Sequence, residues 1–118
     1  MYMSKKLIKN FGYACKGLLI AWREEQNFRV ELLIALVAII LSLILHITKT
    51  EWAIVSLTIF TVLSVEALNT ALEEVCDKFH PDHDPHIGKI KDLAAAAVLL
   101  VSIGALIVAL LIFLPYIT

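Results

Sequence analysis

Residues 52–65 hold fourteen consecutive positions without a formal charge. No glycine or proline separates them from Glu66-Ala67-Leu68-Asn69-Thr70-Ala71-Leu72-Glu73-Glu74-Val75-Cys76-Asp77. One continuous helix is therefore expected, apolar at first and acidic at its end. At 100° per residue Glu66, Asn69, Glu73 and Asp77 fall within an arc of roughly 80°. Ala67, Leu68, Ala71, Leu72 and Val75 keep another face apolar, which argues against a helix that has simply emerged into water. An ionisable group in a membrane helix costs about 2.5–3.5 kcal/mol on insertion scales and marks a functional site by default.

The rest of the 118-residue chain places this helix in a membrane protein of one domain, 1–118. Hydrophobic residues make up 60% and charged residues only 18%, which is outside the range of soluble domains. Residues 4–24 read as an amphipathic surface helix: Leu7, Phe11, Ala14, Leu18 and Trp22 line one side, and Lys5, Lys9, Lys16 and Arg23 the other. The segment has no secretory-signal pattern. A first span is expected over about 28–47. Its uncharged part, 32–47, reaches only about 24 Å against a hydrocarbon core of ~30 Å, so Phe28 to Glu31 must continue the helix. A turn at 46–51 leads to the second span, about 52–77, with Trp52 as an interfacial anchor. Residues 78–91 read as a cytoplasmic loop, and about 92–115 as the third span, ended by Pro115 and Tyr116. The fold class is all-α integral membrane, three spans plus the surface helix. Cys15 and Cys76 are sixty-one positions apart and read as small apolar residues.

Basic residues orient the chain. Six of the ten precede residue 30, three lie in 78–91, and Lys49 alone lies on the other side. That bias puts the N-terminus and the acidic stripe in the cytoplasm and the C-terminus outside.

All the clustered charge then shares one boundary: Glu24, Glu25, Arg29 and Glu31; Glu66, Asn69, Glu73 and Asp77; Lys89, Lys91 and Asp92. Carboxylates with a carboxamide suit Mg²⁺, which leaves its other positions to water and phosphate oxygens. Nearby Lys and Arg suit polyphosphate. With the helix ending near Asp77, Glu66 lies about 16 Å and Glu73 about 6 Å below that end. The deeper acid can take a proton from a hydroxyl held at headgroup depth. Phosphoryl transfer from a soluble nucleotide to a lipid fits this ordering. A cation-conducting oligomer is the alternative, although a pore would want its acids on one pore-facing stripe. A lipid phosphatase lacks any visible nucleophile or paired-histidine motif. No Walker A or protein-kinase motif occurs, and nothing points to nucleic acid.

At these residues the chain resembles the prokaryotic diacylglycerol kinase family, small integral-membrane lipid kinases. The likeness rests on Glu66-x-x-Asn69-Thr70-Ala71-x-Glu73-x-x-x-Asp77 and on Lys91-Asp92-x-x-x-Ala96-Ala97-Val98. It extends to Gly12-Tyr13-x-x-Lys16-Gly17 and Glu25-x-x-Phe28-Arg29. The segment Glu25-Gln26-Asn27-Phe28-Arg29 is similar to the branch acting on undecaprenol. The resemblance implies a homotrimeric bundle in the inner (cytoplasmic) membrane, with composite sites between neighbouring subunits. It implies Glu66 as general base supported by Asn69, and Glu25 and Glu73 holding Mg²⁺ with the phosphates of ATP. Tyr13, Lys91, Asp92 and Asp77 would serve the nucleotide, and Arg29 and Glu31 the substrate or the support of the site. Lys6 stands where relatives carry a phosphate-binding arginine; it keeps the charge without the bidentate fork. Between the second and third spans, His80-Pro81-Asp82-His83-Asp84-Pro85-His86 has the residue types of a transition-metal site. Its prolines forbid presentation on one regular helix, so a solvated loop is the stronger reading. Topology is directly testable: a reporter fused after Thr118 should be active outside the cell and silent in the cytoplasm, and the reverse would remove the acidic stripe from the cytoplasmic face.

Overall fold

The computed structural model describes residues 2–79 and 84–118. Those residues form α1 (Tyr2–Glu24), α2 (Gln26–Leu45), α3 (Lys49–Phe79) and α4 (Pro85–Ile117). The last three are long and apolar enough to cross a membrane. Their outward faces are bare hydrocarbon: Leu57, Leu100 and Leu111 are each about 70% exposed. Water does not tolerate so continuous an apolar surface, and a bilayer does. This is an all-helical membrane protein.

Only Glu25 separates α1 from α2. Its backbone turns extended (φ −113°, ψ 109°) and breaks the helix. The freed carbonyls at the end of α1 are met by Arg29, whose Nη1 donates to the oxygens of Trp22 (3.1 Å) and Arg23 (3.0 Å). A helix C-terminus favours such a cation. α2 thus starts at Gln26 and takes in Phe28 to Glu31, supplying the length that 32–47 lacks. The Cα positions extend 51 × 45 × 22 Å. Three helices at the usual 8–10 Å spacing do not fill the second dimension, so α1, packed against α2, projects sideways at this elbow. Among its described residues only Ala21 is buried.

At the opposite end α2 stops at His46, in the left-handed region with φ 52°. Thr48 and Glu51 then form a capping box: Thr48 N donates to Glu51 Oε1 (2.9 Å), and Glu51 N donates to Thr48 Oγ1 (3.2 Å). This box starts α3 at Lys49, ahead of Trp52. Tyr116 Oη donates to the same Glu51 oxygen and ties the last turn of α4 to the first of α3. Ile47, Val55, Ile112 and Phe113 form the core beside it, with Leu41, Trp52 and Val108 packed around them. α4 runs through Pro115 to Ile117, because the missing N–H falls in its last turn, where little helix remains to lose.

α3 is continuous across the change from apolar to acidic. Its 31 residues measure about 46 Å, more than the hydrocarbon core is thick. α4 begins at Pro85, inside the stretch read as loop. Asp84 caps it, its Oδ1 accepting from His86 N (2.8 Å) and Ile87 N (3.4 Å), with Pro85 at the first helical position. His80, Pro81, Asp82 and His83 of the histidine-rich segment lie outside the described residues.

Replacing Thr48 by Ala removes one half of the capping box. It should cost about 1 kcal/mol, read as a lower midpoint of thermal unfolding in detergent, with helix content at low temperature unchanged.

Candidate active site

The face of α3 that meets α2 and α4 carries residues 55, 58, 59, 62 and 63 at helical spacing. One turn further, the same face carries Glu66. It is 2% exposed. Its backbone carbonyl accepts from Thr70 Oγ1 at 3.0 Å. Asn69 and Glu73 follow one and two turns above, with Asn69 Nδ2 donating to Glu73 Oε1 (3.1 Å).

α2 brings two more acids. Glu31 lies within electrostatic reach of Glu66, and so does Glu25 at the elbow. Glu73 acts on Glu66 in the same way. Four carboxylates thus surround one buried point at the end of the bundle opposite the core. Two polar atoms there, Glu31 Oε2 and Asn69 Oδ1, are buried with no hydrogen-bond partner among the described residues. Burying unpaired anions is costly unless a proton, a cation or a donor compensates them. An ion pair lies further out: Lys91 Nζ meets Asp77 Oδ1 at 2.5 Å, joining the end of α3 to the start of α4 across an exposed surface. Asp92 is exposed beside it. Tyr13 and Lys6 stand exposed on α1, with no hydrogen bond or ion pair to this cluster among the described residues.

The structure therefore brings Glu25, Glu31, Glu66, Asn69 and Glu73 together, sets Asp77 and Lys91 as a pair at the rim, and leaves Tyr13 and Lys6 apart. No group of three metal-ligating side chains converges among the described residues. A cation here would take one or two carboxylates and complete its shell with oxygens from outside the chain, as Mg²⁺ does with phosphates. The proximity of Glu31 to Glu66 has no signal in the sequence, since it depends on how α2 packs on α3. The Thr48-x-x-Glu51 box and the Asp84-Pro85 helix start did have one, in capping patterns.

An all-helical membrane protein with a carboxylate cluster at one end of its middle span is the class that this architecture defines. The chain belongs to the prokaryotic diacylglycerol kinase family, whose model matches residues 12–113. It is 34% identical to undecaprenol kinase of Bacillus subtilis (strain 168) over 110 residues, 93% of this chain and 89% of that one. It is 34% identical to diacylglycerol kinase of Escherichia coli (strain K12) over 102 residues, 86% and 84% of the two chains. A diacylglycerol kinase of Synechocystis sp. shares 36% identity over 114 residues, 96% of this chain and 65% of that one.

Because Glu66 is a buried acid without a countercharge among the described residues, Glu66→Gln should fold at least as well as the parent. The amide removes the charge while keeping the shape, so the unfolding midpoint in detergent should hold or rise. A marked fall would mean that the carboxylate is paired in the assembled protein.

Proposed function

We propose that this protein is a lipid kinase. It moves the γ-phosphoryl group of ATP, with Mg²⁺, to the primary hydroxyl of a membrane lipid, undecaprenol before diacylglycerol. The observation that carries this reading is the burial of Glu66 on a membrane-spanning helix, within electrostatic reach of Glu25 and Glu73. Family membership and the names of the relatives in Bacillus subtilis and Escherichia coli support a lipid kinase. Neither supports the alternative of a cation-conducting assembly.

In this reading Glu66 accepts the proton of the lipid hydroxyl while the oxygen attacks the γ-phosphorus. The P–O bond to the β-phosphate breaks, and ADP leaves with the bonding pair. Asn69, tied to Glu73, orients the acids from above. Glu25 and Glu73 would hold Mg²⁺, which supplies charge neutralisation for the phosphates when bound. Their density of uncompensated negative charge fits that cation. Lys91, Asp77, Asp92, Tyr13 and Lys6 face the nucleotide side; Arg29 fixes the elbow that carries Glu25; Glu31 faces the lipid. Phosphoryl transfer has a loose transition state, so positioning and electrostatics do most of this work.

The enzyme is a homotrimer with composite sites in the inner (cytoplasmic) membrane, its N-terminus in the cytoplasm and its C-terminus outside. The surface helix α1 lies along the cytoplasmic boundary. Unpartnered Asn69 Oδ1 and the position of Tyr13 and Lys6 away from the acids support a site completed by a neighbouring subunit.

The test is transfer of radiolabelled phosphate from ATP by purified protein, with undecaprenol and diacylglycerol side by side. Label should enter undecaprenol preferentially. Glu66→Gln should lower turnover by ~10²-fold or more, the usual size of a lost general base. A variant within a few-fold of the parent would make Glu66 structural, and label in neither lipid would sink the kinase reading.

A further inference from the structure

Lys5, Lys6, Lys9, Lys16 and Arg23 lie on α1, which has no acid before Glu24. At 100° per residue Lys5, Lys9, Lys16 and Arg23 fall within about 40° of one another and form a row about 27 Å long. All four are exposed, and none of their side chains enters an ion pair among the described residues. Leu7, Phe11, Leu18 and Trp22, also exposed, centre on the opposite side of the helix. Like charges one turn apart repel, as Lys5 and Lys9 must, and an anion relieves them.

With its apolar side on the bilayer, as proposed above, α1 turns this row to water and away from the headgroups. Its field then acts on soluble anions. The neighbours on the same helix say which. Lys9 is three positions after Lys6 and four before Tyr13, and Lys16 is three after Tyr13. At that spacing Cβ atoms lie about 5–6 Å apart. Lys6 and Tyr13 are the α1 residues read above as facing the nucleotide. The carboxylates around Glu66 repel a polyphosphate, and Lys91 at the rim is already paired with Asp77. A polyanion drawn to that end of the bundle needs further cations, and the row has them. We propose that Lys5, Lys9, Lys16 and Arg23 form an electrostatic track that gathers the nucleotide's polyphosphate from solution and passes it to Lys6 and Tyr13. This rests on the lipid-kinase reading above and adds residues that set nucleotide capture rather than the chemical step.

The test is binding of a fluorescent ATP analogue to the full-length protein in phosphatidylcholine nanodiscs, beside ATP turnover with a polyprenol, at about 0.01 M and about 1 M salt. The Debye length falls from ~30 Å to ~3 Å between the two. Lys5→Gln, Lys9→Gln and Lys16→Gln combined should weaken binding and raise KM for ATP by about tenfold at the lower salt, the low end of what a focused field provides. At the higher salt the variant should come within about twofold of the parent. Its kcat and its KM for the polyprenol should hold at both, and the three matching Lys→Arg substitutions should bind like the parent. A loss of equal size at both salts, or none at the lower, overturns the track. So does an effect that appears only once phosphatidylglycerol is added to the nanodiscs, which would assign the row to anionic headgroups. If the combined variant does not fold, Lys9→Gln alone decides, by a loss of about twofold that vanishes at the higher salt. A protein that shows this salt-dependent binding difference but transfers no phosphate keeps the track and loses the kinase reading. One that phosphorylates lipid while its lysine variants bind nucleotide like the parent loses the track alone.

Discussion

A carboxylate buried in a membrane helix is the constraint on which the rest of this structure depends. Glu66 costs insertion energy that a leucine in its place would not. α3 carries that cost because residues 52–65 are uncharged and its capping box starts it firmly. Its 31 residues then carry the acidic end beyond the hydrocarbon core. Glu25 and Glu31 add charge of the same sign from α2. Such a cluster is costly on its own, and the ligands of the proposed reaction would relieve it: a cation, phosphates bound to that cation, and a hydroxyl with its proton. Negative charge gathered in a site of low dielectric is strain held in reserve for those ligands.

The two ends of the bundle are built on different principles. At the α2–α3 turn, packing and hydrogen bonds coincide: Ile47, Val55, Ile112 and Phe113 interlock beside the Thr48–Glu51 box and the bond from Tyr116. At the acidic end, an exposed ion pair, Asp77–Lys91, joins the helices instead. Exposed pairs of this kind hold geometry weakly. A bundle fastened at one end and looser at the other can admit ligands without unfolding.

The elbow at Glu25 couples the same site to α1. A single extended residue turns the chain, and Arg29 binds the last carbonyls of α1. The residue that breaks the helix is thereby one of the carboxylates around Glu66, and the residue that braces the break lies one turn further along α2. Movement of α1 would be felt at Glu25 directly.

Much of this was determined by the sequence alone. Three spans and the stripe Glu66-Asn69-Glu73-Asp77 follow from hydropathy and the helical period, which are properties of short stretches. The family motifs lie in the same stretches, so residues 66–77 and 91–98 were legible together. Helix ends were legible only where capping residues announce them, and Asp84-Pro85 shows how a stretch rich in breakers can begin a helix. What the tertiary structure decided is which distant residues meet. Glu31 becomes a neighbour of Glu66, Arg29 becomes the brace of α1, and Tyr116 reaches Glu51 across sixty-five positions. These depend on the rotation and register of one helix against another, which arise from side-chain packing over the whole bundle and leave no periodic trace in the chain.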